Sequence, residues 1–251
     1  MTTGQGTEGW TAAVRQRLAP GRLLALGEAA DGTWLAERAA TAELRRAAAT
    51  VPGAALGEIR IALADPDGAA DPAVPPPPGA QPPGPLRIDG EFAAAPGEPL
   101  PALADRLRGA LYARAVDGLG LRVTEVDLRV TALLEGAAES PAPAGPVGRE
   151  AAEPEDAVGR AAAAVPGVAH LTGVLGGAVV RTAAAEDGGE RVRVELATAA
   201  GHRPLEVARA VRARLAQLDE APRTVTVLVT AVEAPAADRA EGGNARRTAR
   251  G

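Results

Sequence analysis

Val51-Pro52-Gly53 closes an alanine-rich stretch in the first half of the chain, and Val165-Pro166-Gly167-Val168 closes another in the second. Reading these two stretches as one signal decides the fold. A glycine just past a helix can take the left-handed conformation that ends it, and the proline beside it stops the helix from continuing. Val51, Pro52, Gly53, Val165, Pro166 and Gly167 are therefore expected to be structural turns rather than parts of a chemical site.

Outward from each turn the pattern repeats. After the first turn, Ile59, Ile61 and Leu63 alternate with Glu58, Arg60 and Ala62, and Leu86 and Ile88 alternate with Arg87 and Asp89, leading to Phe92. After the second, Val174 to Val180 reads as a weak strand, and Val192, Val194 and Leu196 alternate with Arg191, Arg193 and Glu195. Period two with one apolar side means a sheet with one face buried. A helix follows in each half, opened by proline. Leu100, Leu103, Leu107 and Leu111 form one stripe, and Leu205, Ala208, Val211, Leu215 and Leu218 the other. Each half closes with a strand, Val126-Leu128-Val130 or Val225-Val227-Val229, and both closing strands carry Val-Thr-Ala, at 130–132 and 229–231.

The interval from Pro52 to Leu100 exceeds that from Pro166 to Leu205 by nine residues, and the proline-rich stretch 65–85 lies in the longer one. One insertion thus reconciles the halves. The expected fold class is α+β. It comprises two tandem small α/β sandwich domains, each helix–strand–strand–helix–strand, with two helices on one face of a mainly antiparallel sheet. The expected boundaries are a first repeat at 10–135, a linker at 136–154, a second repeat at 155–233 and a disordered tail at 234–251. Segment 65–85, with its run Pro75 to Pro78, is expected to be an extended, polyproline-like loop.

Composition limits the function. Of 251 residues, 46% are apolar but only 2% aromatic, so the core must be built from Ala, Val and Leu, and base-stacking platforms are nearly excluded. There is no Cys, and the two histidines, His170 and His202, have no carboxylate at motif spacing to orient them. No catalytic residue, cofactor or metal is expected. The net charge is −5, which argues against nucleic acid as a partner, and the use of Arg for every basic residue reads as codon bias. No apolar run is long enough to span a bilayer and residues 1–9 do not read as a secretory signal, so a cytoplasmic location is expected.

Three local features have a plain and a functional reading. Gly173-Val174-Leu175-Gly176-Gly177 could cradle a phosphate, but lacks the trailing Lys or Ser/Thr and reads as a bend or bulge in a strand. Asp105–Arg108 and Glu206–Arg209 are helix-surface neighbours. Arg203, Arg209, Arg212 and Arg214 give the second long helix a basic side, which is the candidate interaction face.

The ordered set of motifs resembles the alkaline-shock-protein family, also called the envelope stress response family. It consists of Trp34-Leu35, a helix over 39–50, the first Val-Pro-Gly, then Val165-Pro166-Gly167-Val168, Val192 to Leu196, Pro204 to Leu218 and Val225 to Val232. Two-copy proteins of this kind are also filed under a nucleopolyhedrovirus fibre-protein label, although no coiled-coil heptads occur here. The resemblance implies a non-catalytic interaction or scaffold protein. It would act through protein–protein contacts, at the cytoplasmic face of the membrane through a membrane-anchored partner, without inserting itself. Self-association is a further expectation; duplication in one chain can also replace a homodimer, the two copies forming a pseudo-symmetric pair. The alternative is an RNA-binding αβ module.

Overall fold

The computed structural model describes residues 21–136, 151–183 and 189–235. The chain runs β1 (Leu23–Ala25), β2 (Thr33–Ala36), α1 (Glu37–Ala49), β3 (Ala54–Leu63), β4 (Leu86–Ala94), α2 (Leu100–Ala113), β5 (Val123–Leu133), α3 (Ala157–Ala163), β6 (Val168–Leu171), β7 (Val179–Ala183), β8 (Glu190–Thr198), α4 (Pro204–Leu215) and β9 (Thr224–Val232). The class is α+β. The expected tail, residues 1–20 and most of the expected linker lie outside the described residues.

Alternation builds the strands. Along β4, Leu86, Ile88, Phe92 and Ala94 are buried, and Arg87, Asp89 and Glu91 on the other side are not. In α2 the stripe Leu103, Leu107 and Leu111 is fully buried, and in α4 Leu205, Ala208, Val211 and Leu215 are. Helix α2 widens into a π-helical turn at Arg114–Leu119 before Gly120, at φ 92°, ends it. The two Val-Pro-Gly turns have the same backbone: Gly53 has φ 85° and Gly167 φ 90°. The carbonyls of Gly53 and Gly167 accept from Ala95 N and Ala199 N at 2.8 Å each.

Sheet topology follows one pattern twice. In the first sheet β3 pairs antiparallel with β4, and β4 parallel with β5. In the second, β6 and β7 both pair antiparallel with β8, and β8 parallel with β9. One bulge matches as well, although β4–β5 has a second, at Thr124, that β8–β9 lacks. Phe92 opposes Val130 and Ala93 opposes Ala132, leaving Thr131 as the extra residue. Leu196 opposes Val229 and Ala197 opposes Ala231, leaving Thr230. Their hydroxyls donate to the carbonyls of Phe92 (3.4 Å) and Leu196 (3.2 Å).

The sheets are mixed, not mainly antiparallel. A strand–helix–strand connection returns the chain in the same direction, so α2 and α4 each enforce a parallel pair. The strand expected at 174–180 is also placed differently. The first strand of the second half is Val168–Leu171, residues 172–178 loop out, and pairing resumes at Val179. In the first half β3 covers the same ground with only a small irregularity between Leu56 and Ile59.

One pairing crosses between the halves. β1 pairs with β2, and β2 runs parallel to β9 with Trp34 opposite Leu228. Trp34-Leu35, the first motif of the resembling set, therefore extends the sheet of the second half. The proline-rich segment lies along the same seam. Leu23 N donates to Gly79 O and Gln81 N to Leu23 O, Trp34 Nε1 donates to Gln81 O, and Thr226 Oγ1 donates to Pro75 O. Val74 is buried. Buried residues from both halves form one contiguous core.

Candidate functional site

A recess of about 380 Å³ lies where the halves meet. Gly27, Glu28, Leu121, Arg122, Arg203 and Arg209 are among the residues that line it. The cavity sits here because Gly120 lets the end of α2 approach the start of α4. A Cβ on Gly120 would stand 2.4 Å from the Cβ of Leu205.

The arginines of α4 are turned toward the first half. Arg203 donates to the Val116 carbonyl (2.9 Å) and to Glu206 (3.1 Å). Arg209 makes a two-point contact with Asp31, at 2.8 and 2.9 Å, and also meets Glu206. Arg212 donates to the carbonyls of Ala30 (2.9 Å) and Asp31. Arg214 is exposed. Three of the four residues of the candidate interaction face thus hold the halves together. Arg122 adds a pair with Glu28 at 2.8 Å. Charge in the cleft is matched, with Arg122, Arg203 and Arg209 set against Glu28, Asp31 and Glu206. Burial would raise the Asp31 pKa, but hydrogen bonds from Arg209 and the Glu28 backbone outweigh it and hold the carboxyl below its ordinary range.

A second constellation surrounds Glu195. The loop containing Gly173 to Gly177 bends around this side chain, which is fully buried. Leu175 N donates to its carboxylate at 2.9 Å, and Arg193 stands 3.0 Å away while also donating to the Leu175 carbonyl. Burial pushes the Glu195 pKa up, against the opposing pull of the Leu175 amide and Arg193. The glycine-rich segment is thus a loop closed over a carboxylate of its own chain. On the first half, Glu43 is likewise buried, paired with Arg46 and Arg114.

The remaining candidates occupy structural positions. Val51 and Val165 are buried, Pro52 and Pro166 exposed, and Gly53 and Gly167 form the turns described above. His170 Nδ1 lies 3.6 Å from Glu233, and the His202 ring packs over Gly167. Among the described residues no group of three His, Asp or Glu is arranged to hold a metal ion, and no helix is long and apolar enough to cross a membrane.

Asp31, Glu28, Arg122, Glu43 and Glu195 were not singled out by motif. Glu195 stands in the sequence as a member of the polar set Arg191, Arg193 and Glu195, which gives no sign of its burial. Compared with known proteins, the chain matches no family model, no curated protein and no solved structure.

Proposed function

We propose that this chain is a non-catalytic interaction protein of the alkaline-shock type, a tandem duplication in which two copies of one αβ unit have become a single scaffold. The observation that carries the reading is the matched bulge: Thr131 and Thr230 sit at the same step of the same topology, each after a glycine-capped Val-Pro-Gly turn. Shared backbone irregularities are harder to reach independently than shared strand order, because a bulge is a specific local choice.

The polar groups support an architectural role. Arg203 and Arg209 meet a carbonyl and a carboxylate of the opposite half, Arg122 pairs with Glu28 of its own half, and Glu195 and Glu43 are enclosed by their own neighbourhoods. The partner in this reading is a membrane-anchored protein that holds the scaffold at the cytoplasmic membrane face. The test is in-cell crosslinking followed by fractionation. Recovery of the chain with one integral membrane protein, and its release when that protein is deleted, is the expected result. A chain that fractionates independently of every membrane protein, with and without envelope stress, removes the proposal.

A further inference from the structure

The two closing strands differ in what lies beside them. On β9 the outer edge is occupied by β2, and Val229 is fully buried. On β5 the outer edge pairs with no strand among the described residues. Val130, which stands at the same step of the repeat as Val229, is 36% exposed, and Leu133 is 71% exposed. The opposite edge of this sheet, β3, is met by arginine side chains: Arg45 donates to the Leu56 carbonyl and Arg22 to the Ile61 carbonyl.

We infer that the free edge of β5 pairs antiparallel with β5 of a second copy of this chain, about a two-fold axis through Leu128. The sequence Val123-Thr124-Glu125-Val126-Asp127-Leu128-Arg129-Val130-Thr131-Ala132-Leu133 is close to self-complementary around that residue. A two-fold axis there sets Val126 opposite Val130 and Val123 opposite Leu133 of the other copy. Thr131 of one copy then faces Glu125, beside Thr124 of the other, so the two irregularities fall together on each side and Val123 and Leu133 return to one face. Leu133 then gains an apolar neighbour, and Val130 is covered as Val229 is by β2.

Charge gives the pairing its selectivity. The same axis sets Asp127 opposite Arg129 twice, once on each side. Asp127 needs this cation. Its neighbour on β4 is Asp89, a like charge whose own partner is Arg87 at 3.2 Å. Arg129 already meets Glu91, yet its side chain is 75% exposed and has donors to spare. Within Val123–Leu133, every other antiparallel register sets Asp127 against a neutral or acidic residue. Arg108 Nε donates to the Val126 carbonyl at 3.1 Å, and that oxygen retains a second lone pair for a strand N–H. The pairing needs no membrane-anchored partner, so it goes beyond the scaffold reading and survives or fails separately from it.

The experiment uses the full chain and measures its mass in solution by sedimentation. A dimer is expected at about 100 μM, weakened by salt because the charge pairs lie near solvent. D127R and R129D should each weaken association at least about tenfold, since each sets like charges opposite one another twice. Mixing the two variants should restore it, because every contact in the mixed pair is again complementary. Melting temperatures near that of the parent chain show that both variants fold. Should either reversal unfold, D127C mixed with R129C takes its place. The chain has no cysteine of its own, so a disulfide that forms faster in the mixture than in either variant alone reports the same juxtaposition. A parent chain that stays monomeric overturns the inference, as does a dimer indifferent to the reversals or a mixture that fails to associate.

Discussion

Arg209 on α4 grips Asp31 from two nitrogens, at 2.8 and 2.9 Å, across the seam between the halves. The carboxylate is mostly buried and the guanidinium is 43% exposed, so the pair lies between a surface ion pair and an interior one. Asp31→Asn leaves one acceptor and removes the charge. A loss of about 1 kcal/mol is expected in urea unfolding at neutral pH.

The same pair sets an acid limb. The Asp31 pKa in the folded chain lies below that of an ordinary aspartate. Its contribution is complete above the unfolded-state pKa and is lost as pH falls through the folded one. The variant should therefore lose less stability than the parent chain on acidification. Parallel acid limbs for the two proteins would disprove this role.

Glu195 acts in the opposite sense. Burial raises its folded pKa, so the fold holds the protonated form more readily than the unfolded chain does. Stability should fall as pH rises from the ordinary carboxylate range to that raised value, and then level off. Glu195→Gln keeps an acceptor for the Leu175 amide and removes the titration. Its unfolding midpoint should fall less than that of the parent chain as pH rises above the ordinary carboxylate range.

The two Val-Pro-Gly turns share a backbone but differ in what surrounds them. At Gly53 a new Cβ meets nothing closer than Leu103 at 3.8 Å, so Gly53→Ala should cost only the strain of positive φ, about 1 kcal/mol. At Gly167 the Cβ would stand 2.7 Å from Val207 and 2.8 Å from the His202 ring. Gly167→Ala should cost about 2 to 3 kcal/mol, measurable as the larger drop in melting temperature. Equal drops would show that the surroundings do not matter.

Trp34 tests the stitch between the halves. It is fully buried in β2 opposite Leu228 and donates to the Gln81 carbonyl. Trp34→Ala should cost about 3 to 5 kcal/mol. It should also raise amide exchange at both β9 and the proline-rich segment, because one side chain anchors both. Exchange confined to β2 itself would count against that coupling.

Much of this fold is written in local pattern. The alternation along β4 and the leucine stripe of α2 specify their elements because each answers to a single buried face. The turns at Gly53 and Gly167 are equally legible, since positive φ leaves glycine little competition. What escapes is whatever depends on distant residues. Glu195 belongs to an alternation that should put it in water beside Arg191 and Arg193, and only the loop at 173–177 encloses it. The basic side of α4 reads as a face toward solvent because Asp31 and the carbonyls of Ala30 and Val116 are far away in sequence. The parallel pairs followed from strand–helix–strand order, but alternation gives a strand's face and not its direction.

The stitch of β2 onto β9 bears on how the molecule is made. During translation the opening hairpin emerges early, while the strand it must lie against follows about two hundred residues later. At cellular elongation rates that is a wait of roughly 10 to 40 s. Trp34 and Leu35 spend that interval without their final neighbour, and the seam closes only when β9 leaves the ribosome.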